Sequence, residues 1–375
     1  MSLVMTLAWR NLFHDRLRFI ATLVGIVFSV VLVMVQMGLY LGFGRMVTTM
    51  IDHANADLWI MPKGAKCFED PSLLDAKLRE KVASVGGIAS VVPLVIGFSD
   101  WRIESGEVTP VFIVGADADA LQPWDVVEGD VRALSQSGNV AVDRTYFDRL
   151  GIKGLGATAE IRGRRIKVVA VTAGIRSFTT TPYVFVDLKN ARFYTGTPSN
   201  RASDLLVRLK PDVNRADAIS AIRDRIGDAE VLTTDEFRNR SRSFWLFGTG
   251  AGAALFAGAL LGVIVGTVIV AQTLYSSTKD HLSEFATLRA MGSSNRYIYN
   301  VIIYQALINA VIGFIIAAAI GFEVVRMTAG SALPIVITPL LVSALLVLTV
   351  VMCVASGLVA IIRVVRIDPA TVFMR

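Results

Sequence analysis

A chain of 375 residues that is 54% hydrophobic and only 18% charged falls outside the usual soluble composition, in which roughly a quarter of residues carry charge. Its net charge of +6 is concentrated in short segments beside apolar runs, which points to membrane topology and excludes a nucleic-acid-binding reading. Cys67 lies in a polar region and Cys353 inside an apolar run, which excludes a disulfide between them.

The first segment, residues 1–18, spaces Leu3, Leu7, Ala8 and Leu12 at near-helical intervals beside Trp9 and Phe13. It is expected to be a short interfacial helix on the cytoplasmic surface. No Asp, Glu, Lys or Arg then occurs from Phe19 to Gly44. This run is too long for a signal-peptide core of about 7–15 residues and has no small-residue cleavage site after it, so 19–44 is the first membrane helix, a signal anchor.

Residues 45–242 form a large extracytoplasmic region with strand-like and helix-like stretches. ADLWIMP, SLLDAKLREKVASVGG, IASVVPLVIGFSDW and TPVFIVGAD read as strand, helix, strand and strand, with Leu74, Leu78 and Val82 on one helical face. SDLLVRLK, RADAISAIRDRIGD and AEVLT repeat the strand–helix–strand layout. Two β-α-β halves are therefore expected at about 52–117 and 200–235, as a layered α/β domain. Between them, at about 121–196, short strands such as IKVVAV and TPYVFVDL and the turn cluster GIKGLG indicate a β-rich insertion. The basic run Arg162, Arg164, Arg165 and Lys167 is read as the solvated flank of a hairpin, the alternative being contact with an acidic partner or lipid head groups.

The second uncharged run gives a membrane helix and stalk at 243–278, with Ala254, Gly258, Gly262 and Gly266 at every fourth position. Small residues on one stripe let another helix approach closely, so Gly258, Gly262 and Gly266 mark a packing seam. Its partner is either the first helix of the same chain or a second subunit. A short amphipathic helix at 279–296 follows, with Leu282, Phe285, Leu288 and Met291 on an apolar stripe and Lys279, Glu284 and Arg289 charged. Gly292 ends it, and Ser293 or Ser294 can cap what comes next. Its stripe suits a groove on a cytoplasmic partner. A third membrane helix is expected at 297–322, a short extracytoplasmic loop at 323–338, a fourth helix at 339–362 and a cytoplasmic tail at 363–375. Glu323 and Arg326, three apart, are expected to pair. Basic residues in the short segments place both termini and the 279–296 helix in the cytoplasm. The fold class is thus an α+β membrane protein with four transmembrane helices.

The chemistry of an enzyme is missing from the sequence. The dipeptide Gly-Lys never occurs, so the chain has no phosphate loop of the GxxxxGK[ST] kind. Its three histidines, His14, His53 and His281, are scattered and form no HExxH pattern. No ionisable residue occupies the centre of a span, which disfavours an ion-coupled carrier. No catalytic residue, metal or cofactor is assigned to this chain.

Three segments carry a resemblance to a known family. EFATLRAMGSSNRYI is similar to the E-I-x-x-L-R-A-L-G-A-x-x-x-x-I signature that follows the second membrane helix of FtsX-like, MacB-type ABC transporter permeases. LAWRNLFHDRLRFIATLVGIVFSVVLV resembles the start of those proteins, and RIDPATVFMR their basic and Pro-Ala ending. With the four-span layout, the likeness covers essentially the whole chain and is closest to DevC-type permeases. It implies a homodimer in an inner membrane, with the 279–296 coupling helix of each copy seated on a separate ABC ATPase that binds ATP and Mg. Glu284, Leu288, Arg289 and Gly292 match the coupling motif. The resemblance further implies a porter-like subdomain, mechanotransmission between ATP hydrolysis and the periplasmic domains, and a periplasmic membrane-fusion adaptor with an outer-membrane duct for export of a glycolipid, lipid or other large amphiphile. This chain departs from MacB in lacking a fused ATPase. The alternative is a transmitter that regulates an extracytoplasmic enzyme such as a cell-wall hydrolase, as FtsX does; the bipartite outer domain favours export.

Overall fold

The computed structural model describes residues 9–10, 12–13, 16–117, 120–280, 295–328, 330–331 and 335–365. Four long apolar helices dominate one unit: TM1 (Arg16–Met46), TM2 (Ala251–Asp280), TM3 (Asn295–Thr328) and TM4 (Pro339–Val365). Each is long and apolar enough to cross a membrane. Charge-free sequence forms helix here because lipid offers the backbone no hydrogen-bond partners outside the chain itself. TM1 is enclosed through its middle, with Ile26, Ser29, Val30, Val33 and Met34 all buried. At the end of TM3, Arg326 and Glu323 form the expected pair at 2.7 Å.

The second unit, Phe43–Ala251, is a mixed α/β domain. Its strands in chain order are β1 (Leu58–Pro62), β2 (Leu74–Asp75), β3 (Ile88–Arg102), β4 (Val108–Ala116), β5 (Val126–Gly129), β6 (Asn139–Asp143), β7 (Thr158–Ile161), β8 (Arg164–Thr172), β9 (Tyr183–Val186), β10 (Arg201–Ala202), β11 (Asp204–Leu209) and β12 (Ala229–Thr233). Four of its helices are α1 (Leu78–Ala83), α2 (Leu188–Thr195), α3 (Arg215–Ile226) and α4 (Thr234–Ser243).

The two β-α-β units interleave. Strand order β12-β1-β11-β3 places β11 between β1 and β3, and β1 between β11 and β12, with every neighbouring pair antiparallel. This is the split β-α-β arrangement, in which each half fills the gap in the other. Successive residues of β1 serve opposite faces: Leu58 and Ile60 join Val82, Val207 and Ile222 beneath α1 and α3, while Trp59 and Met61 join Leu206 and Phe237 on the other side. Asn214 starts α3 by accepting the Ala216 N–H at 3.0 Å.

TM3 runs on to Thr328, so Glu323 and Arg326 lie in helix and not in the loop expected from 323, and two boundaries of the α/β domain also differ from the sequence expectation. The helix expected from about Ser72 begins only at Leu78, because Asp75 accepts the Lys77 N–H at 2.9 Å and turns the chain, leaving Leu74 in the two-residue strand β2. Leu74, Leu78 and Val82 nevertheless share one core. The β-rich part is not a separate insertion at 121–196 either. The distal portions of β3 and β4 belong to it, and pairing runs β3-β4-β9-β6-β8-β7 and back to β3 through Trp101 opposite Ile161, closing a six-stranded ring. Trp101, Val111, Val142, Ile161, Val168 and Val184 bring all six strands into one core.

The basic run lies on the β7–β8 hairpin. Arg162 donates to the Phe193 carbonyl at 3.2 Å, Arg164 lies over the Phe193 ring at 3.7 Å, and Arg165 faces Glu104. The first two contacts tie the hairpin to α2, and the third to the turn between β3 and β4.

Candidate functional site

Two constellations stand out, one within each unit. The first is the glycine seam. Gly258, Gly262 and Gly266 of TM2 face Gln36, Leu32 and Val33, and Ser29 of TM1 respectively. A Cβ at Gly262 would stand 3.1 Å from Val33 and 3.2 Å from Leu32, and one at Gly266 would collide with Ser29 and approach Met352 of TM4 to 3.0 Å. The stripe's neighbour is therefore TM1 of the same chain. Ser29 exploits the missing side chains by donating its hydroxyl to the Gly262 carbonyl at 2.7 Å. Ser356 of TM4 donates to the Thr267 carbonyl at 3.0 Å, a second polar link to TM2. Glycines on TM3 repeat the theme, since a Cβ at Gly313 would stand 2.6 Å from Ile26 of TM1.

Lys279 lies exposed in the last turn of TM2. Leu282, Glu284, Phe285, Leu288, Arg289, Met291 and Gly292 fall at 281–294, outside the described residues.

The second constellation gathers the chain as it enters and leaves the α/β domain. On entry, Phe43 and Val47 lead to a short helix, Thr49–His53. On exit, a capping box between Thr233 and Glu236 starts α4, which passes into a wide turn of π-helix, Phe244–Gly248, ahead of TM2. The two segments are bonded to each other. Ser241 donates to the Val47 carbonyl at 3.2 Å, Arg242 to the Gly44 carbonyl at 3.4 Å, and Arg238 pairs with Asp52. Aromatic packing extends this junction: Trp245 rests on Phe178 with centroids 4.1 Å apart, Phe178 meets Phe43 edge-on at 5.4 Å, and Phe237 packs on Trp59 of β1 at 5.0 Å.

Phe178 reaches this junction from the loop after β8, which the ring holds by polar contacts. Asp143 at the end of β6 accepts the Thr145 N–H, the Thr172 hydroxyl and the Ile175 N–H at 2.9, 2.9 and 2.7 Å. The Tyr146 hydroxyl accepts the Ser177 N–H at 2.7 Å. Sequence reasoning missed this junction, because its members come from five separated segments and share no spacing. The clue available was a cluster of Phe and Trp beside the domain boundaries.

Comparison with known proteins decides the family. The MacB-like periplasmic core domain model matches residues 19–225, and the FtsX-like permease C-terminal model matches 250–369. The chain belongs to the MacB/FtsX-type ABC transporter permeases. The permease is 25% identical over 382 residues to an uncharacterized ABC transporter permease of Mycobacterium tuberculosis, covering 98% of each chain. A Mycobacterium bovis relative described in the same words is 27% identical over 370 residues, covering 93% of each. Among solved structures, the periplasmic region of MacB from Actinobacillus actinomycetemcomitans aligns with TM-score 0.38 and 14% identity, over 50% of this chain and 94% of that one. The extracellular domain of the noncanonic ABC-type transporter YknZ from Gram-positive bacteria aligns with TM-score 0.35 and 16% identity, over 48% and 99%. The permease is thus an inner-membrane protein whose working partner is an ABC ATPase.

Proposed function

We propose that this permease is the lever of an ATP-driven export complex: a separate ATPase holding ATP and Mg docks on the 279–296 segment, and the strokes of the membrane helices move the α/β domain. The observation that carries the reading is the bonding of the entering and leaving segments to each other, Ser241 to Val47 and Arg238 to Asp52, with Phe237 packed on β1. A displacement of either segment is handed to the other and to the sheet instead of being lost in a loose linker. The glycine seam supports the same reading, because helices in backbone contact move together.

In this scheme both termini are cytoplasmic, two copies of the permease work with two ATPase subunits, and a periplasmic adaptor with an outer-membrane duct receives a lipid, glycolipid or other large amphiphile. This chain itself holds no cofactor. Phe285 and Leu288 enter the ATPase groove, with Lys279, Leu282, Glu284, Arg289, Met291 and Gly292 shaping the docking helix. The test is double substitution of Phe285 and Leu288 by Asp in the tagged native complex. Loss of the co-purifying ATPase with unchanged membrane insertion is expected; unchanged co-purification overturns the docking assignment. An adaptor among the captured proteins supports export, and a cell-wall hydrolase without an adaptor replaces export by signal transmission.

A further inference from the structure

The loop between β1 and β2 carries an acid that the scheme above leaves unused. Glu69 accepts the Tyr183 hydroxyl at 2.9 Å on one carboxylate oxygen and the Trp245 indole N–H at 3.2 Å on the other. Tyr183 opens β9 and is 2% exposed, packed edge-on against Phe112 of β4 at 5.8 Å. Trp245 lies in the wide turn ahead of TM2. One side chain thus bonds a central strand of the sheet to the segment that becomes a membrane helix.

The turn needs such a link. Between α4 and TM2 the helix is interrupted by the π-helical residues and by Gly250 at φ +77, a conformation that glycine adopts without strain. A push along TM2 would bend this break before reaching the sheet. The Trp245–Phe178 contact resists compression but is not directional, whereas two hydrogen bonds to one carboxylate fix position in two directions. We propose that Glu69 is a latch that carries displacement of the Trp245 turn into β9 and the sheet. This inference rests on the mechanotransmission reading above.

The latch also responds to acidity. Burial pushes the Glu69 carboxyl up to about 6, against hydrogen bonds from Tyr183, its own backbone, Trp245 and Cys67 that favour the charged form. The groups that face it are fixed in charge around neutrality. Burial pushes the Cys67 thiol up to about 12, and burial followed by the charge of Glu69 raises Tyr183 well above the usual phenol range. Asp70 stays ionised: burial raises it, but hydrogen bonds from Ser72 and the Lys66 N–H hold it below the usual carboxylate range. Tyr146, behind Tyr183, is raised by burial. On the Trp245 side, the Lys66 ammonium lies 5.7 Å from the Phe244 centroid and Arg240 pairs with Glu230. A closed latch binds its proton more tightly than a Glu69 released to water with its ordinary value of 4.5. Closure is therefore favoured fully below about 4.5 and loses that support as pH rises through about 6, leaving the latch easiest to release at neutral pH.

The first test follows Trp245 emission in the full-length permease in nanodiscs, isolated by subtracting the W245F spectrum, from about pH 4 to about pH 8. A shift with its midpoint near 6 in the wild type and none in E69Q is expected; a flat wild-type profile overturns the Glu69–Trp245 bond. The second measures hydrogen exchange in the complex with the co-purifying ATPase, with and without ATP. The latch predicts an ATP-dependent change at both 244–248 and 183–186 in the wild type. In E69L the change at 183–186 is lost while that at 244–248 persists, and E69Q, whose one amide oxygen accepts the Trp245 N–H while its NH2 donates to the Tyr183 oxygen, retains both. Equal responses at 183–186 in E69L and wild type overturn the latch. No ATP response at either segment of the wild type overturns mechanotransmission itself, and the latch's role with it, an outcome that the pH titration keeps distinct from a missing bond.

Discussion

Ser29 of TM1 donates its hydroxyl to the backbone carbonyl of Gly262 on TM2 at 2.7 Å, a contact that only a helix stripped of side chains permits. The same serine lies against the position a Cβ of Gly266 would occupy, and 3.8 Å from the Met352 sulfur of TM4. One small polar residue therefore sets the spacing of three helices. In lipid there is no hydrophobic gain from pressing helices together, so close packing and such bonds decide their association.

The seam makes a graded prediction. Gly262→Ala places its methyl at 3.1 Å from Val33, a distance that small side-chain shifts relieve, whereas Gly266→Ala collides with Ser29 and has Met352 behind it. Gly262→Ala is expected to be nearly neutral. Gly266→Ala and Gly262→Leu are each expected to cost about 1–3 kcal/mol as overpacking, with membrane insertion intact. Thermal unfolding in mild detergent ranks them, and equal melting of all three with wild type would place the stripe against lipid. ATP hydrolysis by the complex is expected to fall in the same order.

Asp204 predicts a pH dependence of the α/β domain. It is 6% exposed at the start of β11, and burial, with Asp70 nearby, pushes its carboxyl up to about 8 from an ordinary 3.8. A raised folded-state value means that the native form holds the proton more tightly. Its contribution is present in full below about 3.8 and is lost as pH rises through about 8. Glu69 adds a smaller loss of the same sign through about 6. Asp204→Asn, which stays neutral, is expected to be more stable than wild type at pH 8 by on the order of 5 kcal/mol, and to flatten the melting temperature against pH. A parallel pH profile in wild type and variant would show that Asp204 reaches water.

The four membrane helices were legible because charge-free runs are local: each can be counted without knowing what it touches. The β-α-β units were legible as strings of elements for the same reason. Their interleaving was not, since nothing in LWIMP states that its neighbours are β11 and β12, some 150 residues away by order of magnitude. Ring closure likewise depends on Trp101 meeting Ile161, a long-range pairing that neither strand's own sequence states. The glycine stripe announced a seam but not its partner, because close approach is a property of two helices and only one carries the pattern. Glu69 gave no signal at all: a lone acid in a polar loop becomes a buried acceptor only once β9 and the Trp245 turn close over it.

Asp143 offers the sharpest test of how the ring positions the aromatic junction. It is 3% exposed and satisfies three donors, two of them backbone N–H groups in different turns. The Ile175 bond anchors the loop that presents Phe178 to Phe43 and Trp245. Asp143→Ala strands all three donors in a dry site and is expected to cost about 3 kcal/mol, while Asp143→Asn keeps one acceptor oxygen and is expected to lose about half as much. Phe178→Ala also empties the junction, costing about 3 kcal/mol by cavity formation, but leaves the loop anchored. Denaturant unfolding of the full chain gives the costs, and hydrogen exchange at 173–182 separates the causes. Faster exchange is expected in Asp143→Ala and not in Phe178→Ala; equal protection in both would mean that the loop is held by the Tyr146–Ser177 bond, with Asp143 serving only its own turn.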